Sequence, residues 1–130
     1  MSAGWSIAPY FLVDDVVTTA AFYRDKLGFH YERFWGDPPA FCMVKRAEII
    51  IMLSQVAGAR MNPNRRLAAP GEEPWDAYIW VGDADSLFRE FTANGVRIAR
   101  GICDQPYLMR DFDIEDCNGY RLCFGHSTGS

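Results

Sequence analysis

The chain writes one pattern twice. PYFLVDDV, residues 9 to 16, aligns with AYIWVGDA, residues 77 to 84, so that Tyr10 meets Tyr78, Val13 meets Val81 and Asp15 meets Asp83 at a constant offset of 68. A duplication constrains the fold more than any single segment does, because each copy must form the same local unit. In each copy an apolar strand runs into an Asp, whose carboxylate can accept the free N–H groups at the start of a helix. The spacing predicts a helix over about 16 to 27, with Ala20, Tyr23 and Leu27 on one face before Gly28. A second helix is expected over about 84 to 94, with Leu87, Phe88 and Phe91 on its apolar face before Gly95.

Strand-like segments follow each helix: FHYERFW, AFCMVK and EIIIMLS after the first, and VRIAR, LMRDFDIE and YRLCFG after the second. Each half therefore reads βαβββ, an α+β pattern. The run 36 to 39, Gly-Asp-Pro-Pro, breaks the strands of the first half, and Asn118-Gly119 is a strong hairpin signal between the last two strands. Residues 55 to 74 lack an apolar period and read as a linker with the makings of a ligand lid. The expected layout is one domain over 1–130, with module 1 at about 6–54, the linker at about 55–74 and module 2 at about 75–126.

Composition narrows the function. Hydrophobic residues make up 49% and aromatics 15% of 130 residues, enough for a packed core. A formal charge of -4 argues against a nucleic-acid partner, which an excess of clustered Lys and Arg would meet. Trp5, Pro9, Asp14 and Asp15 interrupt any leading apolar run, and no stretch reaches membrane-spanning length, so a cytoplasmic location away from membranes is expected. In that setting Cys42, Cys103, Cys117 and Cys123 are expected as reduced thiols.

VDDVVTTAAFYRDKLGF, WDAYIWVGDADSLF and DQPYLMRDFDIEDCNGYRLCFG, taken in order, resemble the vicinal-oxygen-chelate superfamily, which includes glyoxalase I, extradiol dioxygenases, and fosfomycin- and bleomycin-resistance proteins. The likeness spans about 7 to 125, and DQPYLMRDF resembles the corresponding strand of bleomycin-resistance proteins most closely. It implies two tandem βαβββ modules whose curled mixed sheets form a cup with helices outside, and a homodimer. Strand alternation assigns Phe11, Val13, Ile79 and Val81 to the helix side and Ala8, Tyr10, Leu12, Asp76, Tyr78 and Trp80 to the cup.

Metal-dependent members of that superfamily carry His or Glu on the cup side of each module's first strand and a carboxylate in the last strand. Here the matching positions hold Ala8, Met52, Asp76 and Cys123, so no metal and no cofactor are expected. A zinc site from Cys117, Cys123 and His126 lacks the C-x-x-C clamp that makes such signals strong. His30 reads as a strand-end residue, and Asp111, Asp113 and Glu115 fit a solvated strand face as well as the cup. Arg110 reads as a strand-end side chain that holds the C-terminal turn.

What remains is aromatic. The expected ligand-binding residues are Tyr10, Trp35, Met52, Asp76, Tyr78, Trp80, Tyr107 and Cys123, and no catalytic residue is assigned. The function expected is metal-free sequestration of a flat aromatic compound or antibiotic, with the acidic chain compatible with a cation. The alternative is a divergent lyase, isomerase or dioxygenase with a non-standard metal site or Asp76 as base. The partners expected are a small molecule and a second copy of the chain.

Overall fold

The computed structural model describes residues 4–129 and divides the chain into two compact units, Met1–Met61 and Asn62–Ser130. The fold is α+β: among the described residues there are two α-helices and eight strands in two four-stranded mixed sheets, one sheet in each unit. Among the described residues no helix is long and apolar enough to cross a membrane.

In the first unit β1 (Tyr10–Val13) runs into α1 (Val16–Leu27), followed by β2 (Phe34–Trp35), β3 (Phe41–Arg46) and β4 (Ile49–Gln55). The sheet order is β1-β4-β3-β2, with β1 and β4 parallel and the other pairs antiparallel. The Asp15 carboxylate caps α1 by accepting from the Thr18 N–H at 2.9 Å, and Gly28 closes it at φ 74°. Phe11, Val13, Cys42, Val44, Ile51 and Leu53 are buried on the face shared with Val16, Ala20, Tyr23 and Leu27 of the helix.

One strand is shorter than FHYERFW suggests. His30 makes only an isolated bridge to Lys45, and the ladder resumes at Phe34, opposite Cys42. Four residue steps on one side therefore oppose three on the other, and the extra residue interrupts pairing as a bulge does.

The second unit repeats the plan with β5 (Ala77–Trp80), α2 (Ala84–Ala93), β6 (Arg97–Asp104), β7 (Met109–Glu115) and β8 (Arg121–Ser127), in the order β5-β8-β7-β6. Asp83 caps α2 through the Ser86 N–H at 3.1 Å. The core beneath α2 is aromatic: Phe91 meets Phe124 with ring centroids 5.3 Å apart and Phe112 at 6.1 Å, while Phe112 stacks on Phe124 at 5.6 Å. Each such buried ring contributes about 1.5–3 kcal/mol, so this cluster fixes which face of the sheet turns from α2.

The duplication extends to a second cap. The first N–H of α1, at Val16, is accepted by Gln55 Oε1 at 2.9 Å, and the first N–H of α2, at Ala84, by His126 Nδ1 at 2.9 Å. Gln55 and His126 hold equivalent places at the ends of β4 and β8. The final hairpin turns at Asn118-Gly119 as expected, with Gly119 at φ 90° and Asp116 Oδ1 accepting from the Asn118 and Tyr120 N–H groups. The linker of residues 55 to 74 contains two short 3-10 turns, Gly58–Arg60 and Asn64–Leu67.

Candidate functional site

Strand alternation puts Tyr78 and Trp80 of β5, Cys123 and Gly125 of β8, and Asp111 and Asp113 of β7 on the face of the second sheet that turns away from α2. The register confirms their adjacency: Tyr78 pairs with Cys123 and Cys123 with Asp113, while Trp80 pairs with Gly125 and Gly125 with Asp111. Asp111 and Asp113 are 0% and 2% exposed, so of the two readings open for them the solvated strand face does not hold.

Two buried carboxylates are tolerable only if they are paired and hydrogen-bonded. Arg100 of β6 supplies the pairing, with Nη2 2.6 Å from Asp111 Oδ1 and 2.9 Å from Asp113 Oδ1 and Nε 3.2 Å from Asp113 Oδ2. Asp111 Oδ2 accepts from the Tyr107 hydroxyl at 2.7 Å and the Tyr78 hydroxyl at 2.9 Å, while Oδ1 also accepts from Gln105 Nε2 at 3.1 Å. Burial alone would raise the Asp111 pKa, but the Tyr107, Tyr78, Gln105 and Arg100 donors outweigh it and hold the carboxyl below its ordinary range. Burial, then the bond to Asp111, pushes the Tyr78 and Tyr107 hydroxyls well above theirs. Burial also raises the Cys123 thiol, aided by its hydrogen bond to Asp113, so Cys123 is neutral.

Gly125 makes this crossing possible. A Cβ there would strike the Tyr78 hydroxyl and lie 2.8 Å from Asp111 Cβ, so only glycine lets the tyrosine reach across β8.

Above this floor the second unit opens a depression of about 480 Å³ lined by Trp75, Tyr78, Trp80, Tyr107 and Met109. Trp75 lies 5.0 Å from Tyr78 and 6.4 Å from Tyr107, and Tyr78 lies 5.0 Å from Trp80, with ring planes inclined at 56–74°. Rings inclined in this way wall a concavity instead of stacking into a slab. Trp80 is 73% exposed and Tyr107 48%, an unusual cost in water-facing apolar area unless something covers it.

The other expected residues lie in the first unit or serve the backbone. Tyr10, Met52 and Trp35 are on the face of the first sheet that turns away from α1, where Phe41 meets Trp35 at 5.7 Å and Tyr10 at 6.2 Å. Trp35 borders a smaller recess of about 190 Å³ with Glu32, Arg33, Met43 and Lys45, and the Arg33 guanidinium sits over its ring at 5.4 Å. Asp76 Oδ1 accepts from the Asn64 N–H at 2.7 Å and Oδ2 from the Arg121 N–H at 2.8 Å. Both oxygens are thus engaged in tying the linker to β8.

The donors do not fit a divalent metal at the family-type positions. Ala8 has no donor, Met52 offers a thioether, Asp76 is committed to backbone N–H groups, and Cys123 is a buried thiol held protonated. The Cys117, Cys123 and His126 combination also dissolves, because Cys117 lies exposed in the turn while Cys123 and His126 occupy opposite faces of β8. Asp83, Asp85 and His126 do place ligand atoms within 4.8 Å of one another. Asp83 and His126 cap α2, however, and Asp85 is ion-paired with Arg110 at 2.9 Å.

Arg110 also reaches Asp104 at 3.1 Å, so it fastens α2 and β6, not the C-terminal turn as expected. It shares parity with Phe112, which aims it at the first turn of α2. Arg65 attends the turn instead, donating to the Gly119 carbonyl at 3.3 Å.

Sequence reasoning missed Trp75, Met109, Gln105 and, above all, Arg100. The spacing W-x-x-Y-x-W over residues 75 to 80 could have found Trp75. Arg100 had no such signal, because β6 slips register on both sides of it, between Ile98 and Arg100 and between Arg100 and Cys103.

A model of the Glyoxalase/Bleomycin resistance protein/Dioxygenase superfamily matches residues 7–124. No curated protein matches the chain. Among solved structures, TioX from Micromonospora sp. ML1 is similar at 18% identity and a TM-score of 0.73, over 95% of this chain and 99% of that one. The bleomycin-binding protein of Streptomyces verticillus, complexed with copper(II)-bleomycin, is similar at 22% identity and 0.66, over 100% of both chains. Lactoylglutathione lyase from Agrobacterium tumefaciens is similar at 17% and 0.69, over 98% and 97%. At these identities the likeness establishes the fold alone.

Proposed function

The chain belongs to the glyoxalase/bleomycin resistance protein/dioxygenase superfamily, and on that scaffold we propose that it is a metal-free binding protein that sequesters a flat aromatic compound of the antibiotic type. The observation that carries the proposal is the depression walled by Trp75, Tyr78, Trp80, Tyr107 and Met109. Inclined rings and a thioether offer a large contact area at small entropic cost and no free base for proton transfer. The bleomycin-binding relative lends support as a member that holds a ligand of this kind. The competing lyase, isomerase or dioxygenase reading finds no support at Asp76, whose oxygens both accept backbone N–H groups.

Tryptophan fluorescence, titrated with bleomycin-type and other planar antibiotics, tests this. Saturable quenching is expected for at least one of them, and Trp80→Ala should weaken it by about tenfold. A flat response across the set would overturn the proposal. Stoichiometric metal in protein purified without chelators would turn it toward enzymology. A homodimer belongs to the same proposal, supported by the exposed Trp5, Ile7 and Leu67, and a monomeric mass by light scattering would remove it.

A further inference from the structure

We infer that Asp111, acting through the tyrosine hydroxyls it accepts, makes the aromatic depression select planar ligands that carry positive charge over neutral ligands of the same shape. The inference rests on the aromatic-binding reading and adds to it a charge preference with a named origin.

The floor beneath the rings is not neutral. Two carboxylates, Asp111 and Asp113, face a single guanidinium, Arg100, and all three are at least partly withdrawn from water. The excess negative charge is carried toward the depression by geometry. Both hydroxyls, from Tyr78 at 2.9 Å and Tyr107 at 2.7 Å, converge on one oxygen, Asp111 Oδ2, and both tyrosine rings line the depression. A phenol that donates to a carboxylate keeps its proton but has its O–H bond polarised, which enriches its ring in electrons. The attraction of an aromatic face for a cation is electrostatic and grows with that enrichment. The low dielectric of the floor strengthens the effect, and among the described residues no cationic side chain lines the depression to oppose it.

The arrangement is built, not incidental. Tyr107 stands on the β6–β7 hairpin and Tyr78 on β5, and Gly125 is the residue whose missing side chain lets Tyr78 reach the same carboxylate. Asp111 is thus a positioning residue: it holds two rings from separate elements in place and polarises both.

The experiment compares 10-methylacridinium, a fixed cation, with acridine in mildly alkaline buffer, where acridine is neutral. Wild-type protein is expected to bind the cation about tenfold more tightly. Asp111→Asn keeps the shape and removes the charge, so the ratio should fall toward one through loss of cation affinity, with acridine binding retained. Should that variant fold poorly, Tyr78→Phe/Tyr107→Phe keeps both rings and severs them from the carboxylate, and the same collapse of the ratio is expected. A purely structural role for Asp111 would weaken both ligands together and leave the ratio unchanged, which would overturn the inference. Equal binding of the two ligands by wild-type protein would overturn the charge preference while leaving the aromatic site standing. Binding of neither would remove the site and the inference together.

Discussion

Phe41 in the first unit and Asp111 in the second occupy the same place. Tyr10 pairs with Met52, Leu12 with Ser54, and Ser54 with Phe41; Tyr78 pairs with Cys123, Trp80 with Gly125, and Gly125 with Asp111. In one copy the tyrosine leans on a ring 6.2 Å away, and in the other it donates a hydrogen bond to a buried carboxylate. The neighbouring exchanges run in the same direction: the pair Met43 and Met52 stands where the second unit has the pair Asp113 and Cys123. The outer faces kept their aliphatic and aromatic cores and their doubled helix caps, whereas the inner faces diverged into an apolar surface and an ionic one. The two copies share what folds them and differ on the faces turned from the helices.

The largest test of that contrast is truncation at the equivalent positions. Asp111→Ala leaves Arg100 with Asp113 as its remaining carboxylate and deprives two tyrosines of their acceptor, and should cost about 2–3 kcal/mol in urea unfolding. Phe41→Ala removes a half-buried ring and should cost about 1–2 kcal/mol. Equal costs would break the comparison. Next in size, Gly125→Ala forces Tyr78 off Asp111 and should cost about 2 kcal/mol, while Ser54→Ala, where the first unit has no such crossing, should stay within about 0.5 kcal/mol.

Acid sharpens the contrast further. The folded-state pKa of Asp111 is depressed, so its contribution to stability is present above the unfolded carboxylate value of about 3.9 and is lost as pH falls from there through the lower folded value. The stability gap between wild type and Asp111→Asn should therefore be constant at neutral pH and close in that acid window, by less than either truncation costs. The gap to Phe41→Ala should stay constant throughout, since no titrating group is removed. Urea unfolding at several pH values checks both.

How much of this was legible beforehand follows from what each feature depends on. The helices, their Asp caps and the Asn118-Gly119 turn were legible because each rests on residues a few positions apart. Alternation also placed Tyr78, Trp80 and Cys123 on the correct face, since period two survives in any regular strand. The ionic floor was not legible. DFDIED shows its carboxylates openly, but whether they are solvated or buried depends on Arg100, which arrives from a strand whose bulges shift its register. The same limit hid the short β2 and the partners of Arg110, which lie on α2 and β6.

The smallest effect probes each inner and outer face through its thiols. None of the four cysteines is in a disulfide; Cys103 and Cys117 are exposed, while Cys42 is buried in the first unit and Cys123 in the second. Burial pushes the Cys42 thiol up to about 11, and burial with Asp113 raises Cys123 as well, so neither is a nucleophile in the folded state near neutrality. With a thiol-reactive disulfide in excess, two thiols should react promptly and two only on opening. Because Cys123 touches the ionic floor and Cys42 lies on the helix side of the other sheet, Asp111→Asn should speed labelling of Cys123 by a few-fold and leave Cys42 at its wild-type rate. Equal acceleration of both, read by mass spectrometry of the labelled peptides, would mean that the carboxylate supports the whole chain and not the inner face of one copy.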